Sequence, residues 1–475
     1  MKKILLISFY GITQYFENIK HSFEELSYTF ITYPLFQYMY DKNDKKDNYI
    51  DDFVKFIDDS KPDIILWWFL DVEFKIFTKI KTTFPNIYYI LYNSDDPLNL
   101  NIHFMKKCTI FNCASNSCKG TLSKYTLVSG VKDLVFNPFG YNPELFYPIP
   151  DNELPLIENI EKYTCDISIY SDIMFNVNNY TKQYIQQTEL IENIIQYCNT
   201  HKYIFKIFGH PNFKNHYPDN YCGSVSYHEL NNVYNFSKIN INTHSRYDQE
   251  LYFNMNDMRI LGSGGLLFVD KVKNFNNLLQ DKCIFIDKTN YLKQITDILE
   301  NNDSNINTQG HLFSKNYTWA KWCENFHIQI SKHFFDKIEY KLTYNIKDEQ
   351  LWDYWLKCGL KQKHICYSIS VPDHFDYESY ILDNNLNIKT PKYAYIHWYQ
   401  HAKNNIYIDN KTNHSDLDID SLNIHTEDWF RLNHIFAKIY KGENIDINLI
   451  ELFTIYKENP TLNINKALEI YFSLC

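Results

Sequence analysis

The residues with the most chemical content gather in one short stretch. Glycine is scarce, 12 in 475 residues, yet three fall in Gly262-Ser263-Gly264-Gly265. Arginine occurs at positions 246, 259 and 431, and two of these flank that turn. A guanidinium grips phosphate through a planar fork that lysine lacks, and glycine lets backbone N–H groups approach a ligand. Arg246, Arg259, Ser263, Gly264 and Gly265 therefore read as a diphosphate site. The same residues also fit ion pairs with Asp248, Glu250 or Asp257, and a helix C-cap leading into a buried strand. A second candidate is Asn93-Ser94-Asp95-Asp96-Pro97. There Asp95 and Asp96 can act as bases or bind sugar hydroxyls, or else cap a helix ahead of the proline. Gly11 and Gly209 each follow an expected strand, where open α/β sheets bind ligands.

Positioning these residues requires two rounds of strand–helix alternation. Expected strands in the first are Ile4–Phe9, Thr29–Tyr33, Asp63–Trp68, Ile87–Tyr92, Ile110–Asn112 and Leu134–Phe136, with helices near Gln14–Leu26, Ile50–Asp59 and Phe74–Thr83. The turn-rich run from Asn137 to Pro150 ends that pattern. It restarts with strands Cys165–Tyr170, Ile204–Phe208, Ile239–Thr243, Gly265–Val269 and Cys283–Ile286, and with helices near Tyr180–Asn199, His228–Phe236, Met255–Leu261 and Tyr291–Asn301. Such alternation predicts parallel, doubly wound sheets. The α/β chain divides into residues 1–150, 151–338 and a mostly helical extension, 339–475. Trp319 to Phe335 reads as a helix ending the second part.

Composition closes off several function classes. With 45% hydrophobic and 22% charged residues the chain buries large cores, which excludes whole-chain disorder. A net charge of −10 gives no domain-wide basic surface for nucleic acid. No apolar run approaches the roughly 18 residues of a membrane span. Eleven cysteines without paired spacing read as reduced thiols of a cytoplasmic protein. Cys108, Cys113 and Cys118 lie five apart, wider than metal-site spacers, so no metal is expected. Lys, Asn, Ile and Tyr usage fits an AT-rich genome, such as that of a virus. The oligomeric state stays open.

Several segments in order resemble the GT-B glycosyltransferases of the CgeB-like group, related to spore-maturation proteins, within the retaining family-4 type. Lys61-Pro62-Asp63-Ile64-Ile65-Leu66 is similar to its "KPD" strand, and Ser94-Asp95-Asp96-Pro97 to its acidic turn. Asn137-Pro138-Phe139-Gly140-Tyr141-Asn142-Pro143 through Pro148 resembles the interdomain turn. Phe208-Gly209-His210 and Gly223-Ser224-Val225-Ser226-Tyr227-His228-Glu229-Leu230 look like the strand turn and helix start of the second domain. Asn254 through Leu267 resembles the donor-site helix and glycine turn. The resemblance covers roughly residues 1–335.

This likeness implies two Rossmann-like domains flanking a cleft. It also implies transfer of a sugar from a nucleotide-sugar, UDP- or GDP-linked, to an acceptor glycan or glycoprotein, with retention and without metal. Carried onto this chain, it places Gly11, Gly209, His210, His244, Arg246, Asn256, Arg259, Ser263, Gly264 and Gly265 at the donor, and Asp95, Asp96 and Glu250 at the reacting sugar. One position departs: the family usually has Arg near Asn256 and Glu near Arg259, and that Glu holds the donor ribose. The departure leaves open a shifted donor grip or a non-catalytic nucleotide- or glycan-binding protein on the same scaffold. Further on, Phe375-Asp376-Tyr377-Glu378-Ser379-Tyr380-Ile381 and Ala394 to Tyr399 look like a short motif appended to glycan-modifying proteins. In it His397-Trp398 stacks on sugar or forms a core aromatic pair.

Overall fold

The computed structural model of the chain describes residues 1–8, 14–40, 48–68, 74–93, 111–120, 122, 125, 131, 133–171, 181–244, 250–301, 304–347, 350–371 and 375–401. One compact unit spans Met1–His333 and a second begins at Phe334.

The first unit holds two parallel sheets. Strands β1 (Lys3–Ile7), β2 (Thr29–Tyr33), β3 (Ile64–Trp68), β4 (Tyr88–Asn93), β5 (Cys113–Asn116) and β6 (Asp133–Phe136) lie in the order β2-β1-β3-β4-β5-β6. Strands β7 (Cys165–Ser171), β8 (Phe205–Gly209), β9 (Ser237–Asn242), β10 (Leu267–Val269) and β11 (Ile284–Phe285) lie in the order β11-β10-β9-β7-β8. Both sheets thus repeat one winding, with the strand order reversing between β1 and β3 and between β7 and β9. Ligands of open α/β sheets sit beyond the carboxyl ends of strands at such points.

Continuous apolar runs explain the central strands. β3 and β4 are buried along their whole length, as expected for parallel strands covered on both faces. The helix Tyr49–Ser60 turns Phe53 and Ile57 inward and ends at Lys61, which is left-handed at φ 44° just before Pro62. The fifth strand falls further along than expected, at Cys113–Asn116 instead of Ile110–Asn112. Its polar residues are satisfied locally: Ser115 Oγ donates to the Val135 carbonyl at 2.8 Å, and Asn116 Oδ1 accepts from Cys118 N at 3.1 Å.

The chain crosses between the sheets twice, and the two crossings lie side by side. Tyr141 N donates to the Tyr317 carbonyl and Trp319 N to the Tyr141 carbonyl, both at 3.1 Å. Gly140 is needed there, since a Cβ would sit 2.7 Å from Trp319 N. The helix Trp319–Phe334 then returns to the first sheet. Trp322 packs on Trp68 at 5.3 Å between ring centres, and Tyr28 Oη meets buried His327 Nδ1 at 2.7 Å.

In the second unit, residues 334–401 carry the helices Lys337–Tyr344, Tyr377–Asp383 and Pro391–His401. Asp376 caps one helix by accepting from Ser379 N at 3.1 Å, and Tyr380 Oη meets His397 Nδ1 at 3.0 Å. Phe375 packs on Tyr395 and Trp398 at 5.4 and 6.2 Å. The aromatic motif is therefore the local core of two helices. No helix among the described residues is long and apolar enough to cross a membrane.

Candidate functional site

β9 has two chemically opposite faces. Ile239 and Ile241 enter the apolar core, while Asn240, Asn242 and, just beyond the strand, His244 form a buried polar row. This row anchors the helix Met255–Gly262. Asn242 Nδ2 donates to Asn254 Oδ1 at 2.8 Å and to Asp257 Oδ1 at 2.7 Å. Asn254 caps the helix, accepting from Asn256 N and Asp257 N, while Asp257 accepts back from Asn254 N. That reciprocal arrangement is a capping box.

His244 sits between two carboxylates. Its Nε2 lies 2.8 Å from Asp257 Oδ2 and its Nδ1 lies 2.7 Å from Asp270 Oδ1, and the imidazole has no solvent exposure. The His244 backbone N–H also donates to Asp270. Burial alone would lower the imidazole pKa, but the two carboxylates outweigh it and raise the value to about 10. Both ring nitrogens are spent, so His244 offers none to a ligand and acts instead as a cationic link between strand and helix.

The glycine turn is likewise turned inward. Gly264 N donates to the Leu261 carbonyl and Gly265 N to the Ile260 carbonyl, both at 3.0 Å. A Cβ on Gly265 would lie 2.8 Å from both Asn240 Nδ2 and the Tyr234 carbonyl. Gly264 is left-handed at φ +72°, and Ser263 Oγ bonds back to the Arg259 carbonyl at 2.8 Å. This corrects the expectation that Gly264 and Gly265 lend their N–H groups to phosphate: the turn ends a helix and packs it on β9.

Arg259 is 5% exposed. Its guanidinium lies over Tyr227 at 4.7 Å and Phe146 at 5.5 Å. Nη1 donates to Asn256 Oδ1 at 3.2 Å, Nη2 contacts Met255 Sδ, and Nε has no hydrogen-bond partner. The alternative ion pair with Asp257 is not formed, and Asp257 instead bonds His244, Asn242 and Asn254. Among the described residues Arg259 has no acidic partner.

Of the other expected residues, Gly209 ends β8 at φ +111°, and His210 N donates to the Ser171 carbonyl at 2.9 Å. Glu250 lies where the two halves of the first unit meet. Its carbonyl accepts from Gly120 N at 2.9 Å, its carboxylate stands 3.5 Å from Lys119 Nζ, and Phe253 N donates to the Ser117 carbonyl at 3.2 Å. The segment leaving the carboxyl end of β5 thus pairs with the connection between β9 and the Met255 helix. Gly11, Asp95, Asp96 and Arg246 lie outside the described residues. Among the described residues no group of three or more His, Cys, Asp or Glu is disposed to hold a metal ion.

A family model described as glycosyl transferase-like matches residues 187–327. The structure of sucrose-phosphate synthase from Thermosynechococcus elongatus is similar over 70% of this chain and 99% of that one, with TM-score 0.50 and 13% identity. Anabaena HepE in complex with UDP-glucose is similar over 70% of this chain and 100% of its own, with TM-score 0.50 and 9% identity. Residues 187–327 are thus glycosyl transferase-like, and the two sheets have the GT-B fold. No curated protein matches it.

Within this glycosyl transferase-like domain, reading by residue type overlooked Asp257, Asp270 and Glu229 as organisers. Glu229 accepts from Ser226 N at 2.8 Å, Tyr163 Oη at 2.7 Å and Lys162 Nζ at 3.1 Å. Those bonds, led by the Ser226 N–H, hold its pKa down to about 2. The signal was present in Ser226-Tyr227-His228-Glu229, the spacing of a capping box. Asp257 carried the same signal three residues after Asn254.

Proposed function

We propose that this glycosyltransferase moves a sugar from a UDP- or GDP-sugar to an acceptor glycan or glycoprotein, with retention and without metal. Residues 1–150 form the acceptor side, 151–338 bind the donor, and 339–475 extend the chain. The observation that carries this reading is the glycosyl transferase-like match over residues 187–327, which takes in Gly209, His244 and the whole Met255–Gly262 helix. UDP-glucose bound to HepE supports the donor class, and the likeness to the CgeB-like, family-4 type supports retention. The nine described cysteines are free thiols, which fits a cytoplasmic setting.

In the proposed step an acceptor hydroxyl oxygen bonds to the anomeric carbon as the bond from that carbon to the diphosphate breaks. The hydroxyl proton passes to the departing phosphate oxygen. Arg259 and Arg246 stabilise the charge that develops there. Asp95 and Asp96 orient the acceptor, and Glu250 faces the transferred sugar. Asn256 and His210 complete the donor contacts. Little side-chain chemistry is required, because positioning supplies most of the acceleration.

A second reading, a non-catalytic nucleotide- or glycan-binding protein, is favoured by the turned-in glycine amides and by Arg259 standing where the resembled family has Glu. Release of nucleoside diphosphate from a panel of nucleotide-sugars separates the two. Slow hydrolysis of one donor supports the enzyme, whereas binding without hydrolysis or transfer supports the second reading.

A further inference from the structure

We infer that His244 is a positioning residue for donor binding, a buried cationic pin that fixes the first turn of the Met255–Gly262 helix against the carboxyl ends of β9 and β10. The inference rests on the proposed reading of that helix as part of the donor site.

The hydrogen bonds settle the charge of the pin. Asp257 accepts from Asn242 Nδ2, Asn254 N and the His244 ring, at 2.7, 3.2 and 2.8 Å. Asp270 accepts from the His244 backbone N–H as well as from its ring. Each oxygen of the two carboxylates accepts from an amide that can only donate, which favours their ionised form, and an imidazolium between them donates from both nitrogens. Tyr252 and Phe275 wall the ring at 5.8 and 5.4 Å between ring centres. The His244 and Asp257 side chains have no solvent exposure, while Asp270 keeps 18%. Without the imidazolium, Asp257 is a fully buried carboxylate lacking its counter-charge, a strongly destabilising condition.

That strain falls on a particular place. Asp257 belongs to the first turn of the helix, one residue after Asn256 and two before Arg259. Its movement undoes the bond from Asn254 N and so loosens Asn254, whose side chain caps the Asn256 and Asp257 amides. His244 touches no ligand in this arrangement, so its effect reaches the donor through that turn.

The test uses the full chain with His244→Gln and, as a milder change that keeps an acceptor beside Nδ1, Asp270→Asn. Amide hydrogen exchange over residues 254–259 is followed beside steady-state kinetics with UDP-glucose and GDP-mannose as donors. The expected result is at least tenfold faster exchange at Asn256 and Asp257 with melting still cooperative. Donor KM should rise at least tenfold while kcat stays within threefold, and Asp270→Asn should shift both in the same direction by less. Unchanged exchange, or unchanged KM in a folded variant, overturns the inference. If His244→Gln does not fold, the same two readings on Asp270→Asn decide it. A wild-type chain that uses neither probe nor any other nucleotide-sugar removes the proposed function. Exchange faster at 254–259 would in that case leave a structural pin alone and overturn its role in donor binding.

Discussion

The guanidinium of Arg259 lies 4.7 Å from the ring centre of Tyr227, and no carboxylate among the described residues neutralises it. An arginine cannot shed its proton to relieve burial. The aromatic rings return some of the lost hydration energy by cation–π attraction, but Nε remains without a partner. The pairing leaves a positive charge fixed on the helix expected to meet the donor.

Arg259→Ala should weaken binding of a nucleoside diphosphate by about 1.5–3 kcal/mol, the range for hydrogen bonds to charged groups. Arg259→Lys should recover only part of this, since a point charge lacks the fork. Calorimetric titration of both variants checks it. Wild-type affinity in Arg259→Ala would make the residue a packing element over Tyr227 and nothing more.

The glycine turn makes a different prediction from the one its composition invites. A methyl on Gly265 meets Asn240 and the Tyr234 carbonyl, and one on Gly264 meets Pro148 Cγ at 3.0 Å from a left-handed backbone. Gly265→Ala should cost about 1–3 kcal/mol by overpacking. Thermal melts should show both alanine variants falling below wild type. Unaltered melting with loss of donor binding would restore the turn to the ligand.

The fold was legible wherever apolar runs carried it. β1, β3 and β4 read as strands because Leu5, Ile65 and Ile90 lie in runs buried on both faces. β5 did not, because its Ser115 and Asn116 are buried polar residues satisfied by the neighbouring backbone. The candidate site was legible as a region and misread in detail. Gly264, Arg259 and His244 do converge on one helix, but His244 pairs with carboxylates 13 and 26 positions away, a separation periodicity does not reveal. The polar alternation Asn240-Asn242-His244, running from an Ile-rich strand to just past its end, was the available clue.

Glu229 should shape the acid limb of stability. The Ser226 N–H and its companions hold the carboxyl down to about 2, below its ordinary 4.5. Its stabilising contribution is therefore fully present above pH 4.5 and fades as pH falls toward 2. Glu229→Gln should melt lower than wild type at pH 6, and the gap should narrow between pH 4.5 and 2. Parallel melting curves across that window would count against the capping box.

His244 should act in the opposite sense. With its pKa raised from 6.5 to about 10, the cation stabilises the fold fully below pH 6.5. Its contribution is lost as pH rises through 10. The stability difference between wild type and His244→Gln should shrink over that range in chemical denaturation. A difference that grows with pH would mean that the ring is neutral in the folded chain.

The most direct measurement is release of nucleoside diphosphate by the wild-type chain from separate UDP- and GDP-sugars, without added metal and with a chelator present. The account predicts slow hydrolysis of at least one donor, accompanied by calorimetric binding of the matching diphosphate that Arg259→Ala weakens. Absence of both release and binding across the panel would contradict it.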